Sequence, residues 1–206
     1  MDLRVRELSD HLVAKWTSPT GTELMAAGAA LVGGLLDQGA LSPARAGALL
    51  GWPEDEVLAR FHEMRFDLET DPVGHIIGAG VSLDGSRPHS MELQGRTLHG
   101  WCAMDVLMFP VVFKETASRV GSRCAASGAP VTLTVTPDGV RDLSPATAVV
   151  TLAPATGADI RQVFCDRVNF YATPELGRRA VDEDHDLAYC TVAEAWAIGK
   201  RLADLF

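Results

Sequence analysis

Among residues able to do chemistry, the densest stretch of this 206-residue chain is Leu98-His99-Gly100-Trp101-Cys102-Ala103-Met104-Asp105-Val106-Leu107-Met108-Phe109-Pro110. Read as a helix from Gly100 to Phe113, interrupted or kinked near Pro110, it puts Cys102 in the first turn. Backbone N–H groups and the helix dipole there lower a thiol pKa and favour thiolate. Asp105, three residues on, shares a face with that thiol. A carboxyl among Val106, Leu107, Met108 and Phe109 is expensive to bury without a partner. Burial would raise its pKa, as a proton shuttle needs. On spacing alone the plainer readings lead: Asp105 as an exposed position on an amphipathic helix, Cys102 as a small core residue.

A second segment, Arg161 to Pro174, holds Cys165 among charged and aromatic neighbours. By itself Cys165 also reads as structural. The other cysteines are Cys124 and Cys190. No two of the four form a CxxC pair, and their spacings match no zinc ribbon or finger. They are either buried free thiols or thiols that the fold brings together for chemistry.

Composition narrows the partners. The formal net charge is -9, which argues against nucleic acid and against an anionic membrane surface. No stretch is long and apolar enough to span a bilayer. Met1 to Arg6 lacks the apolar run of a signal peptide, so the expected location is the cytoplasm, where thiols stay reduced.

The elements that position these residues fall into two parts. Residues 1–75 read as a helical module. Glu23 to Asp37 is apolar at helical spacing, with Gly39 as a stop. Ser42 and Pro43 open a second helix that Gly51 ends. Pro53 starts a third, Glu54 to Met64. Two short helices joined by a Gly-containing turn resemble a winged-helix unit. However, Pro53 to Asp67 carries five acids against two basic residues, so packing is favoured over DNA reading. From residue 76 the chain reads as an α+β core with a mixed or antiparallel sheet. Strands are expected at 75–83, 90–93, 130–135 and 148–152. Residues 161–164 read as helical or extended, and Thr191 to Leu205 as an amphipathic helix.

Three ordered motifs then resemble the alkylmercury lyase family. The run GRTLHGWCAMDVLMFP is similar to that family's catalytic helix. Ser122 to Val131 is similar to its next block, and FCDRVNFYATPE to the block holding its second catalytic cysteine. The resemblance extends from Gly78 to Pro174, and more weakly over the N-terminal module. It implies Cys102 and Cys165 as mercury-binding thiols and Asp105 as the acid that moves the proton. One departure is visible: family members often carry a second cysteine after the second catalytic one, where this chain has Asp166.

The implied reaction is protonolysis of R–Hg⁺ to R–H and Hg(II), a detoxifying step. Mercury(II) is soft and prefers thiolates, so two thiolates and one proton donor are the minimal kit. No organic cofactor is implied, and mercury is substrate and product. Small thiols, or a mercuric reductase, would accept the product. Cys124 reads as a buried structural thiol, Cys190 as incidental and Trp101 as a pocket wall. His99 reads as a surface or capping residue sooner than a ligand. The competing readings are a soft-metal sensor or chaperone using Cys102, Cys165 and His99, a winged-helix transcription factor, and, less favoured, a cysteine hydrolase.

Overall fold

The computed structural model describes residues 2–156 and 159–205; the outer bounds expected for the two parts, residues 1 and 206, lie outside them. Polar caps account for the first helices. Asp2 accepts the Arg4 N–H at 2.8 Å and opens α1 (Leu3–Thr17). Ser18 caps α2 (Pro19–Gln38), with Pro19 in its first turn and Gly39, at φ 80°, behind its end. Ser42 and Pro43 open α3 (Pro43–Leu50), and Gly51 closes it in the left-handed conformation. α4 (Val57–Glu63) starts later than the expected Glu54, because the Glu56 N–H turns back onto the Pro53 carbonyl at 3.1 Å.

These helices do not float beside the rest. Leu12 of α1 and Leu31 and Leu35 of α2 belong to the same buried cluster as Met91, Leu107 and Ile198. Leu41, just before α3, exchanges backbone hydrogen bonds with Ile76 at 2.8 and 2.9 Å.

The sheet expected after residue 75 is present and antiparallel throughout. β1 (Glu69–Thr70) pairs with β2 (Ile76–Gly78), and β2 with β3 (Val81–Ser82). The single strand expected over 75–83 is thus two, because Gly80 at φ 79° reverses the chain between them. β4 (His89–Leu93) and β5 (Arg96–Gly100) form a hairpin over Gln94-Gly95, both at positive φ, as a type I′ turn requires. After α5 (Ala103–Val112) come β6 (Ser118–Arg123), β7 (Pro130–Thr136) and β8 (Gly139–Ser144). The order across the sheet is β1-β2-β3-β5-β4-β6-β7-β8.

A second, three-stranded antiparallel sheet has β9 (Val149–Leu152) at its centre. β10 (Phe170–Tyr171) lies on one side and β11 (Ala188–Thr191) on the other. α6 (Ile160–Val163) and a 3-10 turn, Cys165–Arg167, precede β10, and α7 (Pro174–Glu183) follows it. The tail is α8 (Val192–Ala203), opened by a reciprocal Thr191–Glu194 capping box.

α5 is the centre of the molecule. Its residues Ala103 to Pro110 are all buried, as expected of a helix that is apolar on every face apart from the single acid Asp105. Pro110 falls in its last turns, and the helix runs on to Val112. Among the described residues no helix is long and apolar enough to cross a membrane.

Candidate active site

Strand β5 delivers Cys102 to the start of α5. The Trp101 N–H is held by the Gly80 carbonyl at 3.0 Å. Cys102 is then extended, at φ −146° and ψ 175°, as the N-cap. The helix therefore begins at Ala103, three residues after the expected Gly100, and Cys102 sits ahead of the first turn. Gly100 shows why. It still pairs in the sheet, and a Cβ there would fall 2.8 Å from Val106.

The Ala103 N–H donates to the Val168 carbonyl at 2.9 Å, hooking the helix start onto the segment behind Cys165. Thr151 of β9 fixes that segment from the other side. Its hydroxyl donates to the Arg167 carbonyl at 2.8 Å and accepts the Asn169 N–H at 3.0 Å. These contacts bring the two cysteines together from distant parts of the chain. The ligand atoms of Cys102, Asp105 and Cys165 all lie within 4.8 Å of one another. All three residues are buried, Cys102 completely.

Asp105 accepts the Cys102 backbone N–H at 2.8 Å through Oδ2. The Cys102 thiol is within hydrogen-bonding reach of both the Asp105 carboxylate and Cys165. Burial dominates the electrostatics. It pushes Asp105 up to about 7, although the hydrogen bonds from Cys102 work against it. It also pushes the Cys102 thiol well above its ordinary value, helped by Cys165 and the Asp105 charge. For Cys165 the hydrogen bond from Cys102 pulls downward, but burial and the charges of Asp105 and Asp166 leave the thiol raised. The thiolate expected for Cys102 from the helix terminus is therefore not its resting state. Full desolvation of the sulfur outweighs the dipole.

Asp105 and Cys165 line an apolar cavity with about 60 Å³ of free space, whereas Cys102, fully buried, does not line it. Trp101 is one wall, as the sequence reading had it. Its indole stacks on Phe66 with ring centroids 5.0 Å apart, and the Arg161 guanidinium lies 3.9 Å from its ring centre. Glu69 pairs with Arg161 at 3.6 Å and with Arg87. The far wall is supplied by α1 and α2, through Leu12, Trp16, Leu24, Met25, Gly28 and Ala29. None of these was legible as a site residue: amphipathic spacing marks a face as buried but not what it is buried against.

The remaining candidates stand apart. His99 is half-buried in β5 and outside the cluster. Cys124 is a buried thiol in the turn between β6 and β7, its N–H bonded to the Ala129 carbonyl at 2.7 Å. Cys190 is buried in β11, and burial lifts its thiol to about 12.

Two close thiols and a carboxyl that titrates near neutrality can bind a soft, two-coordinate metal and move a proton beside it. The family model described as alkylmercury lyase matches residues 84–204. The chain is 41% identical over 139 residues to the alkylmercury lyase of Streptomyces lividans, covering 67% of this chain and 64% of that protein. It is 40% identical over 158 residues to the alkylmercury lyase of Pseudomonas putida, covering 76% and 73%. A solved structure, the mercury-bound form of MerB2, shares the fold with a TM-score of 0.76 over 99% of each chain, at 20% identity.

Proposed function

The chain belongs to the alkylmercury lyase family of enzymes, and from that premise we propose that it is an organomercurial lyase that cleaves R–Hg⁺ to R–H and Hg(II) with Cys102, Cys165 and Asp105. One observation carries the reading: two thiols and an acid with pKa about 7 lie within 4.8 Å of one another beside an apolar cavity.

The protons balance as follows. The Cys165 thiol, open to the cavity, displaces the counter-ligand of R–Hg–X. A sulfur–mercury bond forms, the mercury–X bond breaks, and the thiol proton leaves with X. Cys102 then passes its proton to the Asp105 carboxylate and bonds to mercury as thiolate. The second thiolate raises electron density on mercury and on the attached carbon. Asp105, now a carboxylic acid, gives that proton to carbon as the carbon–mercury bond breaks. R–H leaves, and Hg(II) stays on the two sulfurs, with the Asp105 oxygens beside it.

The hydrogen bond from the Cys102 N–H keeps the carboxyl in place through these transfers. A pKa near 7 lets one group accept from a thiol and then donate, because neither protonation state is strongly favoured. The thiols and the acid supply every step, so the reaction calls for no organic cofactor. Hg(II) is substrate-derived product, and small thiols, or a mercuric reductase, would carry it away. On this reading residues 76–206 carry the chemistry, and residues 1–75 close the cavity over it.

The test is turnover of methylmercury with excess small thiol, followed by gas analysis of the headspace. Methane in proportion to released Hg(II) is the expected result. Tight retention of methylmercury with no methane would leave a mercury-binding protein and overturn the lyase reading.

A further inference from the structure

The glycines of α2 are not alike. A Cβ on Gly21 would fall 2.2 Å from the Lys15 carbonyl oxygen, and one on Gly34 would fall 2.6 Å from Leu49. Packing excludes a side chain at both. Gly33 is only half-buried, and a Cβ there meets nothing within 4 Å. Gly28 combines the two properties that do not usually go together. It is buried, and a Cβ on it would meet nothing within 4 Å.

Its φ is ordinary for a helix, so the backbone does not ask for glycine. Glycine in a helix interior is unfavourable relative to alanine. The space in front of Gly28 is the cavity that Asp105 and Cys165 line from the other side. Leu24, Met25, Gly28 and Ala29 sit at spacings of one, four and five residues, on one helix face, and all four line it.

We propose that Gly28 is a specificity-determining residue: the side chain it lacks is the room in which the organic group of the substrate sits. This rests on the lyase reading above. Apart from Asp105 and Cys165, the walls are hydrocarbon, thioether and aromatic. The group accommodated is therefore an uncharged alkyl or aryl, and position 28 sets its upper size. Extending a side chain from α2 would crowd a phenyl group before it crowded a methyl group.

The experiment compares Gly28→Ala, Gly28→Val and Gly28→Leu with wild type, using methylmercury and phenylmercury as substrates with excess thiol. Gly33→Ala is the control for helix propensity. The kcat/KM ratio of phenylmercury to methylmercury should fall with each added side-chain carbon, reaching roughly tenfold or more, the scale of one methylene in a tight apolar pocket. The loss should be carried mainly by KM. Gly33→Ala should leave the ratio at its wild-type value. Gly28→Ala should melt no lower than wild type, so the smallest step of the series remains readable if the leucine variant does not fold. A ratio unchanged across folded, active Gly28 variants overturns the inference and leaves the lyase reading standing. Wild type that releases neither methane nor benzene overturns the lyase reading itself, and the inference with it.

Discussion

The Asp105 carboxylate accepts the Cys102 backbone N–H at 2.8 Å, so the acid that caps α5 is also the group lying against the Cys102 thiol. Asp105→Asn keeps the shape and an acceptor oxygen for that N–H but can no longer carry a proton. Both thiols remain, so methylmercury should still bind. Cleavage should fall by about 10²–10⁴-fold, the usual contribution of general acid catalysis. The loss should appear in the chemical step and not in binding. Mass spectrometry should find an intact protein–methylmercury adduct where wild type carries bare mercury. Wild-type cleavage by this variant would falsify the proton role and leave Asp105 as a cap.

The two thiols should fail differently. Cys102→Ala and Cys165→Ala should each abolish cleavage in folded protein, since each leaves one sulfur on mercury. Their capture of methylmercury should differ. Cys165 lines the cavity, whereas Cys102 is completely buried and does not. Stopped-flow measurements should therefore show Cys102→Ala binding at close to the wild-type rate and Cys165→Ala binding much more slowly. Equal rates would mean that substrate reaches Cys102 by another route.

Cys124→Ala and Cys190→Ala should retain turnover, because neither belongs to the cluster. Each removes a buried sulfur, so a modest drop in melting temperature is expected from the cavity left behind. Loss of activity in a folded Cys190→Ala protein would contradict its placement in β11.

Much of this site was legible in the sequence, and the limits are physical. A three-residue spacing places Cys102 and Asp105 together on any helix start. Ser42 and Pro43 mark the start of α3, because a side-chain oxygen there satisfies a free N–H group, whereas the expected start at Glu23 falls inside α2, which Ser18 caps. What the spacing did not reveal is long-range. Cys165 reaches the site through the Ala103–Val168 hydrogen bond and the Thr151 clasp, and the role proposed for it rests, on the sequence side, on the family resemblance alone. β5 is hidden in the sequence because Thr97 to Gly100 runs straight into the helical pattern of α5. The thiolate expected for Cys102 does not hold, because a helix terminus is local and visible in the sequence, whereas complete burial is a property of the whole fold.

Asp105 should also leave a signature in stability. Its folded pKa, about 7, lies above the ordinary 3.8. The folded state therefore holds its proton more tightly than the unfolded chain does. The stability this contributes is full below pH 3.8 and is lost as pH rises through 7. Asp105→Asn does not titrate. Its stability relative to wild type should therefore climb between pH 4 and pH 8, by on the order of 4 kcal/mol at most. Parallel melting curves for the two proteins over that range would mean that the carboxyl titrates as it does in the unfolded chain.

His89 should show the opposite slope, which makes the pair of measurements diagnostic. Its Nδ1 lies 2.8 Å from Ser122 Oγ and its Nε2 lies 3.3 Å from Asn169 Oδ1. The Asn169 side-chain amide in turn donates to the Asp166 carbonyl, next to Cys165, at 3.1 Å. This chain of bonds is consistent if His89 is neutral, donates from Nε2 and accepts the Ser122 hydroxyl at Nδ1. Burial holds it neutral by lowering its pKa to about 4 from 6.5. The stability is then fully present above pH 6.5 and is lost as pH falls through 4. His89→Phe removes that titration but leaves Asn169 Oδ1 without the His89 donor and Ser122 Oγ with only its 3.4 Å contact to the Arg123 carbonyl. At pH 7 it should be less stable than wild type by roughly 1–3 kcal/mol, the range for buried polar groups left unpaired. As pH falls from 6.5 to 4 the gap should narrow, while the gap between Asp105→Asn and wild type narrows over an overlapping range from the other side. Chemical denaturation of all three proteins at pH 4, 5.5, 7 and 8 separates the two groups. A His89→Phe deficit that stayed constant from pH 7 to pH 4 would show that His89 is protonated as easily in the fold as outside it, and that the Ser122–His89–Asn169 chain does not hold its tautomer.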